Sequence, residues 1–128
     1  MIAVDTSALM AIVLNETSAN ACIAALAAEP ELLISAGTVA EALIVADRRN
    51  VGNEMASLID GLGFEVVPVI TPTARQVAAA YTSWGKGAHP AGLNFGDCFA
   101  YALAKERNCP LLFVGDDFSR TDLAAAMG

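Results

Sequence analysis

Asp5, Glu41, Asp97 and Asp116 are scattered along the chain, yet each stands where an apolar run gives way to a helix or a turn. Asp5 directly follows the apolar residues 1–4, and Asp116 follows the apolar residues 110–114 after a single glycine. Glu41 and Asp97 fall in the first turns of two segments with helical periodicity. Two unit charges ~5 Å apart at an effective dielectric of ~20 repel by roughly 3 kcal/mol, so acids gathered at one place call for protonation or a cation. All-oxygen donors without histidine or thiolate suit a hard ion, Mg²⁺ or Mn²⁺, over zinc. Magnesium held by a few carboxylates and waters serves phosphoryl transfer.

The elements that would gather these acids follow from the apolar pattern. Residues 1–4, 31–36, 64–70 and 110–114 read as strands. Helices are expected from Thr6 or Ser7 to Leu14, from Thr17 to Ala28, and from Thr38 to Asn50. Further helices are expected over residues 53–62, from Thr71-Pro72 to Trp84, and from Asn94 to Arg107. Residues 85–93 hold three glycines, a proline and the only histidine, and read as a flexible loop; residues 121–128 read as either a helix or a short edge strand. Strands alternating with helices predict an α/β fold, three layers α/β/α, with a mostly parallel sheet of four or five strands. Ligands in such folds sit beyond the carboxyl ends of the strands, where these acids fall.

Each acid also has a local explanation. Thr38-x-x-Glu41 is a capping box, and Asn94-x-x-Asp97 closely imitates one. Asp5 could cap the helix after the first strand, and Asp116-Asp117 could be a plain turn. Joint placement, rather than any single acid, carries the metal-site reading. Helix N-termini would help keep Glu41 and Asp97 ionised, as metal ligands must be.

Composition narrows the class. At 128 residues, 55% apolar and 16% charged, the chain fits one domain spanning residues 1–128 with a real core. Its longest apolar runs fall well short of the roughly 18 residues that suggest a membrane span. With no basic N-terminal flank and three widely separated cysteines, a reducing, cytoplasmic setting is expected. A net charge of −7 excludes a general nucleic-acid binder, but not a nuclease whose metal carries the phosphate contact.

In residues 1–9 (Met-Ile-Ala-Val-Asp-Thr-Ser-Ala-Leu), Glu41, residues 93–98 (Leu-Asn-Phe-Gly-Asp-Cys) and residues 111–119 (Leu-Leu-Phe-Val-Gly-Asp-Asp-Phe-Ser), the chain resembles the PIN-domain ribonucleases, specifically the VapC toxins of type II toxin–antitoxin pairs. The segments occur in that family's order and spacing. The resemblance implies a PIN-like fold and hydrolysis of RNA phosphodiesters that leaves 5′-phosphate and 3′-hydroxyl ends. It makes Asp5 and Asp97 the principal magnesium ligands, with Glu41 and Asp116 completing the set and Asp117 as the alternative to Asp116. Thr6 resembles a hydroxyl that steadies the first aspartate, and Asn94 a group acting near Asp97 or a simple cap. The same resemblance implies a homodimer held inactive by a cognate antitoxin, whose basic side chain enters the acidic pocket. A PIN-like protein that only binds its antitoxin, and a phosphatase or DNA nuclease built on the same acids, stay open as alternatives.

Other residues are weaker candidates. Ser7 lacks the Gly-x-Ser-x-Gly setting of a nucleophile, and Cys98 reads as a packed helix cysteine. Lys86 and His89, on the loop just before Asn94, are placed to meet substrate, with a plain solvated loop as the alternative. Arg48-Arg49 suits either RNA phosphates or the end of a helix dipole. Tyr81, Trp84, Phe95, Phe99 and Tyr101 read as core by default, with dimer contacts or base stacking as alternatives.

Overall fold

The computed structural model describes residues 1–127. Its sheet has four parallel strands in the order β3-β2-β1-β4, where β1 is Ile2–Val4, β2 Leu32–Ser35, β3 Glu65–Val67 and β4 Leu111–Leu112. Alternation along these strands divides the interior into two cores. Ile2, Val4, Ile34 and Leu112 face one side, under α1 (Thr6–Val13), α2 (Ala19–Ala27), α3 (Ala36–Arg48) and α4 (Gly52–Leu62). Ala3, Leu33 and Leu111 face the other, under α5 (Thr71–Trp84) and α6 (Phe95–Arg107). Three layers result, because every central strand is apolar on both faces and needs helices on each.

Since β2 and β3 are added on one side of β1 and β4 on the other, the order in which strands cross the sheet reverses between β1 and β4, although all run parallel. Crevices at such reversals, beyond the strand ends, are where parallel sheets bind ligands. Asp5 stands at this point, its N–H bonded to Leu112 O at 3.0 Å.

Several expected boundaries shift for identifiable reasons. β3 stops at Val67, before Pro68, which has no N–H for the ladder. β4 ends at Leu112, and two residues later the Val114 N–H is taken by Ser7 Oγ at 3.0 Å. α3 begins at Ala36 with Ser35 as its cap, its Oγ accepting from Gly37 N. The Thr38–Glu41 capping box is therefore not formed, and Thr38 is fully buried inside the helix. α2 starts at Ala19 rather than Thr17, with no side-chain cap bond from Ser18. The tail takes its strand-like form: Ala125 pairs with Leu111 in parallel, after a short 3-10 turn over Phe118–Arg120, and Gly128 lies outside the described residues.

The segment 85–93 is more ordered than its glycines imply. Lys86 N donates to Leu93 O and Leu93 N to Trp84 O, both at 3.0 Å, pinning the two ends side by side. Within it, Ala88 N and His89 N donate to Gly85 O, and Ala91 N donates to His89 Nδ1. The His89 ring meets Trp84 edge-on, 4.6 Å between centroids. Phe95 and Tyr81 are not core residues as expected: they are 68% and 41% exposed. Among the described residues no helix is long and apolar enough to cross a membrane.

Candidate active site

Asp5 is the N-cap of α1 and is 2% exposed. Its Oδ2 accepts from Ser7 N at 3.0 Å and from Ser7 Oγ at 2.7 Å. Because Ser7 Oγ also accepts from Val114 N, one hydroxyl ties the exits of β1 and β4 together and fixes the carboxyl between them. Asp5 Oδ1, by contrast, is buried with no hydrogen-bond partner among the described residues. Burial pushes this carboxyl up to about 7, against the lowering effect of the Ser7 bonds, with the charges of Asp97 and Glu41 adding to the rise.

Asp97 is buried in the first turn of α6 and closes a reciprocal cap. Asn94 Oδ1 accepts from Asp97 N at 2.8 Å, and Asp97 Oδ2 accepts from Asn94 N at 3.0 Å. Asn94 is thus both the helix cap and the group that orients Asp97. Burial pushes Asp97 up to about 6; Glu41 and Asp117 raise it further, while Asn94 N–H and the charge of Lys86 oppose them.

Glu41 reaches the same place from α3. Thr6 Oγ1 donates to Glu41 Oε1 at 2.6 Å, so this hydroxyl steadies Glu41, and the one that steadies Asp5 belongs to Ser7. On its other side the Glu41 carboxyl lies against Gly96, where any Cβ would overlap it. Gly37 performs the matching service between α3 and α6, because a Cβ there would overlap the Phe99 ring. Glycine in the Asn-Phe-Gly-Asp segment thus makes room for an acid 55 residues away. Neither Ser7 nor Gly96 was singled out as functional by the sequence reading. The Asp-x-Ser spacing of an Asx-type cap could have found the first; nothing local could have found the second.

Asp116 and Asp117 lie exposed on the turn after β4. Of the two, Asp117 is the one whose charge acts most on Asp97, whereas the main-chain oxygen of Asp116 receives Ser119 Oγ at 2.6 Å. Lys86 is exposed, and its charge reaches Asp97.

The donor set fits a hard divalent cation. It consists of oxygen ligands, and Asp5 Oδ1 is a desolvated carboxylate oxygen with no donor to answer it. Among the described residues no three His, Cys, Asp or Glu side chains close into a ready-made cage. An ion that binds through one or two carboxylates and keeps several waters suits such an open arrangement.

Comparison with known proteins places the chain in a family. Residues 2–123 match the family model described as PIN domain. Ribonuclease VapC28 of Mycobacterium tuberculosis is 43% identical over 128 residues, covering 97% of this chain and 96% of its own. VapC20 of the same organism, described as a sarcin-ricin loop cleaving toxin, superposes with a TM-score of 0.82 at 16% identity, each chain covered completely. VapBC2 of Rickettsia felis, solved bound to a DNA fragment from its promoter, gives a TM-score of 0.70 at 16% identity, covering 98% of this chain and 96% of that one. At such low identity these two structures speak for the fold, while the closer relative and the family model speak for descent. The chain belongs to the PIN-domain family and, within it, to the VapC ribonucleases, hydrolases of toxin–antitoxin systems.

Proposed function

We propose that this chain works as a single PIN domain in the cytoplasm, a toxin that hydrolyses RNA phosphodiester bonds at Asp5, Asp97 and Glu41 with help from the Asp116-Asp117 turn. The observation that carries the reading is the buried, unanswered Oδ1 of Asp5 beside two further carboxylates that raise its pKa. Mg²⁺, with Mn²⁺ as substitute, would be held by Asp5 and Asp97, with Glu41 and the turn acid nearby. When bound, the ion supplies acidity to water and neutralises charge that develops on the phosphate.

The protein's own groups do the rest. Ser7 and Asn94 hold one oxygen of Asp5 and of Asp97, which leaves the other oxygen of each available to a cation. Thr6 and the bare backbone of Gly96 hold Glu41 beside them, where a carboxylate can accept a proton from water. Burial excludes bulk water and strengthens every charge interaction inside.

Two partner proposals have their own support. The acidic site on a chain of net charge −7 suits a cognate antitoxin that offers a basic segment. A homodimer is supported by the exposed Leu43, Ile44 and Phe95, since Ile44 and Phe95 line an open apolar groove of about 310 Å³ between α3 and α6.

Purified protein should cleave RNA in Mg²⁺ and stop in EDTA, leaving DNA and phosphomonoesters uncut. Asp97→Asn should lower the rate on the order of a thousand-fold. Undiminished cleavage by that variant would sink the reading, and persistent toxicity in its absence would favour a binding protein.

A further inference from the structure

A chain this acidic must hold RNA against its own field. A metal ion neutralises charge at the scissile phosphate, but neighbouring phosphates need other cations. The seven lysines and arginines are not equally free to serve. Lys105 is paired with Asp122 and Arg107 with Glu65, each at 2.9 Å. Arg48 and Arg49 end α3, roughly 10 Å along its axis from Glu41. Arg75 belongs to the first turns of α5, while residues 85–93 follow that helix's other end. Lys86 and Arg120 remain.

We propose that Lys86, carried on the closed 85–93 segment, and Arg120, bonded to that segment at Pro90, form a rim that grips RNA phosphates flanking the scissile bond. The inference rests on the ribonuclease reading and adds to it where the substrate backbone is held.

Both side chains start from fixed backbone. Lys86 is tied by its N–H to Leu93 O, in the paired stretch that runs directly into the Asn94–Asp97 cap, and its charge favours ionised Asp97. Arg120 arrives from the turn that also carries Asp117, and its Nη1 donates to Pro90 O at 3.2 Å. That bond orients the guanidinium plane and leaves its other N–H groups free, the geometry that grips a phosphate through two parallel bonds.

One aromatic side chain holds both supports. Trp84 Nε1 donates to Tyr101 Oη at 2.8 Å, and Tyr101 Oη donates to Asp122 Oδ1 at 2.7 Å. Tyr101 thereby joins the start of the 85–93 segment and the residue two beyond Arg120 to α6, the helix that bears Asp97. A rim built in advance loses little freedom when it binds. Its sign suits a polyanion.

The test separates binding from cleavage. In the catalytically disabled Asp97→Asn background, binding of a short mixed-sequence single-stranded RNA is followed by fluorescence anisotropy from about 50 to 200 mM salt. Lys86→Gln and Arg120→Gln should each weaken binding about five- to ten-fold and flatten the slope of log Kd against log salt by roughly 0.7. Lys86→Arg should restore both, which a merely structural role would not predict. Arg48→Gln should leave both within about two-fold. In the active protein, the Lys86→Gln/Arg120→Gln pair should raise KM and leave kcat within about three-fold. Unchanged RNA affinity and slope in the doubly substituted protein would overturn the rim, even with cleavage intact. If poly-glutamate binding were lost in that protein while RNA binding was kept, the rim would belong to an acidic protein partner, and the proposal would fall. An inactive wild type that still binds RNA through these residues would overturn the ribonuclease reading alone.

Discussion

Two parts of the site present carboxylates in opposite ways. Asp5 and Asp97 are buried, each with one oxygen engaged by a helix cap, and burial raises both. Asp116 and Asp117 stand exposed on a turn after the shortest strand, β4. Fold stability opposes the first pair, because an ionised carboxyl in a desolvated position costs free energy unless a cation answers it. Little opposes the second pair, which water already solvates. Ions should therefore be captured by the buried pair, and the turn should adjust what has been captured. Substitutions in the two places ought to differ in stability as well as in rate.

Asp5→Asn carries the largest expected effect. Asparagine keeps an oxygen for the Ser7 N–H and Oγ–H but has no charge to bury. Cleavage should fall on the order of a thousand-fold or more. Stability should move the other way. Because burial raises Asp5 to about 7 and Asp97 to about 6, the metal-free folded chain binds more protons than the unfolded chain between about pH 4 and 7. Its stability is therefore greatest in acid and declines as pH rises through that window. Asp5→Asn should flatten the decline and raise the metal-free Tm at pH 8 by about 5 °C or more. Mg²⁺ should stabilise the wild type at pH 8 and do little at pH 5, where its ligands hold protons. Thermal melts with EDTA or Mg²⁺ at both pH values decide this, and a wild type that melts highest at pH 8 without metal would break the contrast.

Gly96→Ala comes next. A methyl group there would occupy the space of the Glu41 carboxyl, which can swing away at the end of a flexible side chain. Alanine also favours the helix by about 0.5–1 kcal/mol. Activity should drop about a hundred-fold while the melting temperature holds or rises. Equal loss of both would mean that Gly96 serves packing and not the site.

How much of this was legible in the chain depends on the distance over which each signal acts. Asp5 and Asp97 were legible because a helix cap is a local pattern, and the Asn94–Asp97 box forms as spaced. Glu41 was picked out with the wrong support: its partners, Thr6 and Gly96, lie 35 and 55 residues away, and no short window contains them. The α3 start was misread because Ser35 and Thr38 both suit a cap, and only the exit of β2 decides between them. Residues 85–93 looked flexible because glycine and proline mark loops. Their order comes from Trp84, His89 and Leu93, whose bonds close the segment on itself. Layer order and parallel strands were readable from apolar runs on both faces, whereas strand ends depended on Pro68 and on Ser7.

Ser7→Ala should have a smaller and mixed effect. It removes a donor from Asp5 and leaves the Val114 N–H without its acceptor. An unsatisfied, partly buried amide costs about 1–3 kcal/mol, so the Tm should fall. Asp5 should keep its bond to Ser7 N, and cleavage should drop only about ten-fold, chiefly through weaker Mg²⁺ binding. A loss as large as that of Asp5→Asn would make the hydroxyl a participant rather than a support.

The finest test of the contrast lies within the turn. Asp116 follows β4 more closely and was the choice on sequence grounds, but of the two turn acids Asp117 is the one whose charge acts on Asp97, after that of Glu41. Asp117→Asn should reduce cleavage several-fold, and Asp116→Asn should stay within about two-fold, each with the Tm of the wild type, because surface carboxylates contribute little to stability. Removing the Asp117 charge should also lower the pH at which Asp97 ionises, which carboxyl NMR of the metal-free protein reads directly. If Asp116→Asn has the larger effect on rate and Asp117→Asn leaves Asp97 unmoved, then the turn rearranges when the ion binds. The exposed half of the site would in that case be defined by its ligand, and the buried half alone by the fold.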